Sequence, residues 1–130
     1  MTDGNGKLVL IVEDQEEVAT IVSLALKGIG LQSVRAPNGD KALEFLNTNR
    51  PDMIVLDIGL PGMSGWELLE IIQAWRKDER IPILVTTAFR DPANRLVGKL
   101  QDVDHYLPKP YEITELQEIA SRLLGLTANT

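Results

Sequence analysis

Three short stretches of the chain are apolar without interruption: LVLIV at 8–12, MIVL at 53–56 and ILV at 83–85. A strand with one wet face alternates apolar and polar residues, so a strand lacking that alternation has to be covered on both sides. Helices packed on the two faces of a parallel sheet give that cover. Between the apolar runs the spacing changes to that of a helix. Val18, Ile21, Val22, Ala25 and Leu26 recur along Glu16 to Lys27, with Gly28 and Gly30 as the stop, and Leu68, Leu69 and Ile72 share one face of Gly65 to Trp75.

The alternation continues along the chain. Strands are expected at Leu8 to Val12, Gln32 to Ala36, Met53 to Leu56, Ile83 to Thr86 and His105 to Leu107. Helices are expected at Glu16 to Lys27, Gly39 to Thr48, Gly65 to Trp75, Arg95 to Leu100, with Pro92 well placed at a first helical turn, and Glu112 to Leu124. Five strand–helix units with right-handed crossovers make a doubly wound α/β domain, a five-stranded parallel sheet with five helices. An antiparallel sandwich would need period-two strands joined by short turns, and the helical segments between the strands argue against it. The chain length of 130 residues suits one core, not two.

Composition narrows the function classes. Nineteen acidic against 13 basic residues, a net charge of -6 with no cluster of Lys and Arg, is the wrong balance for a nucleic-acid surface. Without cysteine there is neither a disulfide framework nor a thiolate metal site. MTDGNGKLVLIVED lacks the pattern of a secretory leader and no run is long enough to cross a membrane, so a cytoplasmic protein without membrane insertion is expected. GNGK at 4–7 precedes the first strand and continues with Leu8 where a phosphate loop needs Ser or Thr.

Ligands of open parallel sheets bind beyond the carboxyl ends of the strands. Glu13 and Asp14 follow the first strand, Asp57 the third, Thr86, Thr87 and Ala88 the fourth, and Lys109 the fifth. Taken singly, an acid after a strand is most simply a turn or cap residue, a threonine at a strand end a β-former with a satisfied hydroxyl, and a lysine near a proline a solvated one. Together they place three carboxylates, a hydroxyl and an amine on one edge. Two carboxylates about 4 Å apart repel by about 4 kcal/mol at an effective dielectric of 20. The repulsion is offset either by a proton on one acid or by a hard divalent cation, for which an all-oxygen set favours magnesium. A carboxylate in such a site can attack phosphorus, with Lys109 pairing a phosphoryl oxygen, Thr87 donating its hydroxyl and Ala88 leaving room.

Four stretches, IVED at 11–14, LDIGLPGMSG at 56–65, PILVTTA at 82–88 and YLPKP at 106–110, resemble in order and interval the receiver domain of bacterial two-component response regulators. The resemblance runs from about Lys7 to Leu124, leaving 1–6 and 125–130 as expected flexible tails. It implies a flavodoxin-like three-layer α/β/α fold with strand order 2-1-3-4-5. It also implies a switch that accepts phosphoryl on Asp57 from a histidine kinase or histidine phosphotransfer protein, catalysing its own phosphorylation and slow dephosphorylation. The implied metal is magnesium, with manganese able to substitute, held by Asp14, Asp57 and the backbone of Gly59, with Glu13 in the acidic pocket. Thr87 and Tyr106 match the pair that rearranges on phosphorylation, and Lys109–Pro110 the peptide bond held in cis.

The output face implied by the family lies around Arg95, Lys99, Tyr106 and Glu115, docking a downstream protein of unknown identity either as a monomer or as a phosphorylation-promoted homodimer. Gly59 and Phe89 stand where polar or longer side chains are common in fast-hydrolysing members, so a slow self-dephosphorylation is expected. His105, next to Tyr106, is a surface residue that could make this face sensitive to pH. No output domain is expected within this chain. The alternatives are a receiver-like interaction module that is never phosphorylated and a small-molecule phosphohydrolase, for which the loops are too short to supply a substrate-selecting cap.

Overall fold

The computed structural model describes residues 6–59, 65–75, 81–87 and 103–126. Along the chain come β1 (Leu8–Val12), α1 (Glu16–Lys27), β2 (Gln32–Ala36), α2 (Gly39–Leu46), β3 (Met53–Asp57), α3 (Gly65–Trp75), β4 (Ile83–Thr87), β5 (His105–Pro108) and α4 (Ile113–Leu123). All strands pair in parallel, in the order β2-β1-β3-β4-β5. The strand order is the one expected. The number of helices is not: four stand among the described residues, and Arg95 to Leu100, read from the sequence as one more, lies outside them. The pattern behind that expectation was the weakest of the five. It covers less than two turns and contains Gly98, and a glycine inside a helix costs about 1 kcal/mol relative to alanine.

The unbroken apolar runs have a direct explanation in the packing. Val9 and Ile11 of β1, Met53 and Val55 of β3, Leu84 of β4 and Leu107 of β5 bury against α1 and α4, through Val22, Leu26, Leu116 and Ala120. The residues between them, Leu10, Val12, Ile54, Leu56, Ile83 and Val85, bury against α2 and α3 through Ala42, Leu46, Leu68 and Ile72. The inner strands β1, β3 and β4 still alternate faces, but both faces are dry. β2 (QSVRA) and β5 (HYLP) are the exceptions in sequence, and their place in the sheet accounts for them: both are edge strands, β2 with Gln32 and Arg35 exposed and β5 only partly buried.

Helix ends follow local chemistry. The Asn38 side chain accepts from the Lys41 N–H at 2.9 Å and opens α2, while Glu112 and Glu115 form a reciprocal capping box on α4. After α1 the chain reverses through Gly30, whose φ of 83° lies in the left-handed region, and the Leu31 N–H donates to the Leu26 carbonyl at 3.0 Å. That turn returns the chain to the start of β2.

Candidate functional site

The same count of two that sorts the core also builds the site. Extending the α1 and α4 face of the sheet by one step beyond Ile11, Val55 and Leu107 arrives at Glu13, Asp57 and Lys109. All three therefore reach the carboxyl edge on one side. β1 and β3 are neighbours, so the two acids stand next to each other, and Asp14 joins them as the chain turns toward α1. Carboxylate oxygens of Glu13, Asp14 and Asp57 lie within 4.8 Å of one another.

Glu13 and Asp57 are buried and Asp14 stands more open to solvent. Lys109 donates to Glu13 Oε1 at 2.8 Å and lies 3.6 Å from Asp57 Oδ2. The other Glu13 oxygen accepts the Gln15 N–H at 3.3 Å, and Asp57 Oδ1 accepts the Gly59 N–H at 3.0 Å. Burial, assisted by the Asp57 charge, pushes the Glu13 carboxyl above its usual range against the pull of Lys109. Burial would lower Lys109, but the Glu13 hydrogen bond and the charges of Asp57 and Glu13 outweigh it, so the amine stays protonated more firmly than usual. Three carboxylates facing one ammonium leave an excess of negative charge, and the donor set is all oxygen. Both features fit a hard divalent cation.

The backbone around Asp57 is fixed on both sides. The Ile58 N–H donates to the Thr86 carbonyl at 3.1 Å, and the Gly65 N–H to the Ile58 carbonyl at 3.2 Å. Gly65 sits so close that a Cβ there would lie 2.5 Å from the Ile58 Cα and 2.9 Å from the Asp57 carbonyl oxygen. Read from sequence, Gly65 is only the start of a helix; the glycine opening GWELLEII could have signalled close approach.

From the sequence, Arg35 is likewise only a strand residue. It spans from β2 to the loop after β1, donating from Nε to the Glu13 carbonyl at 3.0 Å and from Nη2 to the Asp14 carbonyl at 2.8 Å. An arginine at the end of an edge strand, level with an acidic loop, was the available clue.

The remaining sequence candidates divide. Thr87 ends β4 with its backbone in register with Pro108, and its side chain lies outside the description. Tyr106, half-buried, packs along the α2 and α3 core and is in register with Val85. The Lys109–Pro110 peptide is cis. Ala88, Phe89, Arg95 and Lys99 lie outside the described residues.

His105, on β5, has its Nδ1 3.4 Å from Arg122 Nη2 of α4. Arginine offers only donors, so this contact needs an unprotonated Nδ1. Burial first and the Arg122 charge second lower the His105 pKa below 6.5, with Glu115 acting the other way. Between the folded and unfolded values the unfolded chain binds more protons, so the contribution of His105 to stability is present above pH 6.5 and lost as pH falls through the folded pKa. Denaturation midpoints of the protein and of His105→Gln should diverge below that pH. Superimposable pH profiles, or an NMR titration midpoint above 6.5, would contradict the geometry.

An open parallel α/β sheet with an acidic pocket and an ammonium at its carboxyl edge defines the class, and comparison with known proteins gives the family. The response regulator receiver domain family matches residues 9–121, and the chain belongs to it. A probable transcriptional regulator, ycf27, of Cyanophora paradoxa is 34% identical over 96% of this chain and 51% of its own length. The probable transcriptional regulatory protein TcrX of Mycobacterium tuberculosis is 34% identical over 98% of this chain and 53% of its own. The chain thus spans about half the length of the curated relatives it matches. Solved structures are matched nearly end to end. A putative response regulator from Chloroflexus aurantiacus has a TM-score of 0.86 at 32% identity, covering 93% of this chain and 99% of that one. The chemotaxis response regulator CheY4 of Vibrio cholerae has a TM-score of 0.84 at 28% identity, covering 92% and 100%. No described helix is long and apolar enough to cross a membrane.

Proposed function

We propose that this domain is a phosphorylation-operated signalling switch in which Asp57 accepts a phosphoryl group from a phosphohistidine on a sensor kinase or phosphotransfer protein in the cytoplasm. The observation that carries the reading is the Lys109 ammonium standing 2.8 Å from Glu13 and 3.6 Å from Asp57, inside a cluster of three carboxylates. In the transfer an Asp57 oxygen forms a bond to phosphorus as the phosphorus–nitrogen bond of the donor breaks, and the departing imidazole keeps the electron pair and takes a proton. Glu13, Asp14 and Asp57 would hold a magnesium ion, with the Gly59 carbonyl a further candidate ligand; when bound, such an ion supplies positive charge to phosphoryl oxygens.

Lys109 is close enough to exchange part of its contact with Glu13 for a phosphoryl oxygen. The acyl phosphate carries about -2 charge where the carboxylate carried one negative charge, so a site already short of cations gains about one more negative charge together with strong acceptor oxygens. In the family's pattern Thr87 and Tyr106 relay that change, and β5 with α4, including Tyr106 and Glu115, would present it to a downstream protein. The test is to incubate the protein with magnesium and a small acyl phosphate, then weigh it intact. A single phosphoryl adduct supports the switch. Its absence favours a constitutive interaction module, and donor consumption with no adduct favours a hydrolase.

Once formed, the acyl phosphate should decay slowly. Gly59 is exposed beside Asp57, has no side chain to orient an attacking water, and commits its N–H to Asp57 Oδ1. Decay followed after removal of donor should extend over minutes or longer, and Gly59→Asn should shorten it. A lifetime of a few seconds at neutral pH would refute this expectation, for which Phe89 is the second candidate determinant.

A further inference from the structure

We infer that Arg35 is a positioning residue for the acidic pocket, holding the Glu13–Asp14 loop in the shape that binds a divalent cation. The inference rests on the metal reading given above and extends it to a residue of the edge strand outside the pocket.

Pairing between β1 and β2 ends at Val12 with Ala36, closed by the Glu13 N–H donating to the Ala36 carbonyl at 3.1 Å. Past that point the chain leaves the sheet for α1, and the Glu13 and Asp14 carbonyls have no strand beside them. Arg35 supplies both with a partner, from Nε and Nη2 of one planar guanidinium. That is a fork spanning two successive carbonyls, which a lysine ammonium cannot reproduce.

The other end of the loop is weakly held. Gln15 occupies the N-cap position of α1 and makes no side-chain capping bond. Besides the Arg35 fork on its backbone, the loop is tied through the Glu13 side chain, by Lys109 at Oε1 and from within by the Gln15 N–H at Oε2. The residues whose carbonyls are gripped from outside are the same two whose carboxylates converge with Asp57. Partners that orient metal ligands from behind change metal affinity by about 10- to 100-fold when removed. The partial exposure of this fork puts Arg35 at the lower end.

Electrostatics alone predicts the opposite sign. Arg35 is a cation beside a cation site, so deleting its charge should tighten metal binding, whereas deleting a clamp should loosen it. Magnesium binding to the whole protein by calorimetry, with melting curves in chelator, separates the two for Arg35→Met and Arg35→Lys. Expected is about tenfold weaker magnesium binding in both variants, with metal-free melting temperatures close to that of the parent protein. Unchanged or tighter binding in Arg35→Met, or full affinity in Arg35→Lys, overturns the clamp. Should Arg35→Met not fold, Arg35→Lys decides alone, since it keeps stem and charge and loses only the fork. A parent protein that binds no magnesium overturns the metal reading itself and this inference with it, whereas parent binding with unaffected variants overturns this inference only.

Discussion

Asp57→Asn should take up no phosphoryl group under conditions that label the parent protein fully, and should nevertheless melt at a higher temperature in metal-free buffer. The amide keeps the shape of the side chain and can still accept the Gly59 N–H, but it is a far poorer nucleophile. The gain in stability comes from charge. Removing the Asp57 carboxylate gives up one attraction, to Lys109 at 3.6 Å, and relieves repulsion with both Glu13 and Asp14. Single pairs at such distances are worth about 4 kcal/mol at an effective dielectric of 20, less with the solvent that reaches Asp14, so a net gain on the order of 1 kcal/mol is expected. That corresponds to a few degrees in Tm. Magnesium should raise the Tm of the parent protein and have a much smaller effect on Asp57→Asn, because a ligand stabilises only as far as it binds the folded state. A phosphorylated Asp57→Asn protein would move the acceptor elsewhere, and a lowered Tm without metal would mean that Lys109 already neutralises the pocket.

Gly65→Ala should be the most damaging small substitution near the site. In an ordinary helix the change from glycine to alanine stabilises by about 0.5–1 kcal/mol, because alanine has less backbone freedom to lose. Here the added methyl meets backbone on every near side: the Ile58 Cα at 2.5 Å and the carbonyl oxygens of Asp57 and Ile58 at 2.9 Å each. Backbone cannot rotate aside as a side chain can. Either α3 shifts or the Asp57–Ile58 segment does, at a cost of about 3 kcal/mol. Thermal denaturation should show a Tm lower by on the order of 10 °C. Phosphorylation should slow as well, since a displacement of the acceptor by about 1 Å can reduce a rate about 100-fold. A Gly65→Ala protein as stable as its parent, labelled at the same rate, would show that the helix start has room the geometry denies.

Most of the architecture could be read because its signals are local. Uninterrupted apolar runs, helical spacing and glycine stops each occupy a few neighbouring residues, and they placed every described element to within a residue or two. The helix expected at Arg95 to Leu100 rested on a short pattern broken by Gly98, and it is the point on which the five-helix expectation was corrected. Within the site, Glu13, Asp14, Asp57 and Lys109 could be found because each directly ends or follows a strand. Gly65 and Arg35 could not be assigned a role in the same way. The function of the first depends on the backbone of residues 57 and 58 folding back beneath it, and that of the second on two carbonyls more than twenty residues earlier in the chain.

The sequence alone determined which side chains would gather at the carboxyl edge, because strand periodicity and strand ends are properties of short segments. Only the tertiary structure decided how they divide the charge among themselves. Lys109 sits nearer to Glu13 than to Asp57, and Arg35 grips the loop from the far side of β1. Those distances depend on strands brought together from remote parts of the chain, and electrostatic and hydrogen-bond energies change steeply over the ångström or less that separates the alternatives.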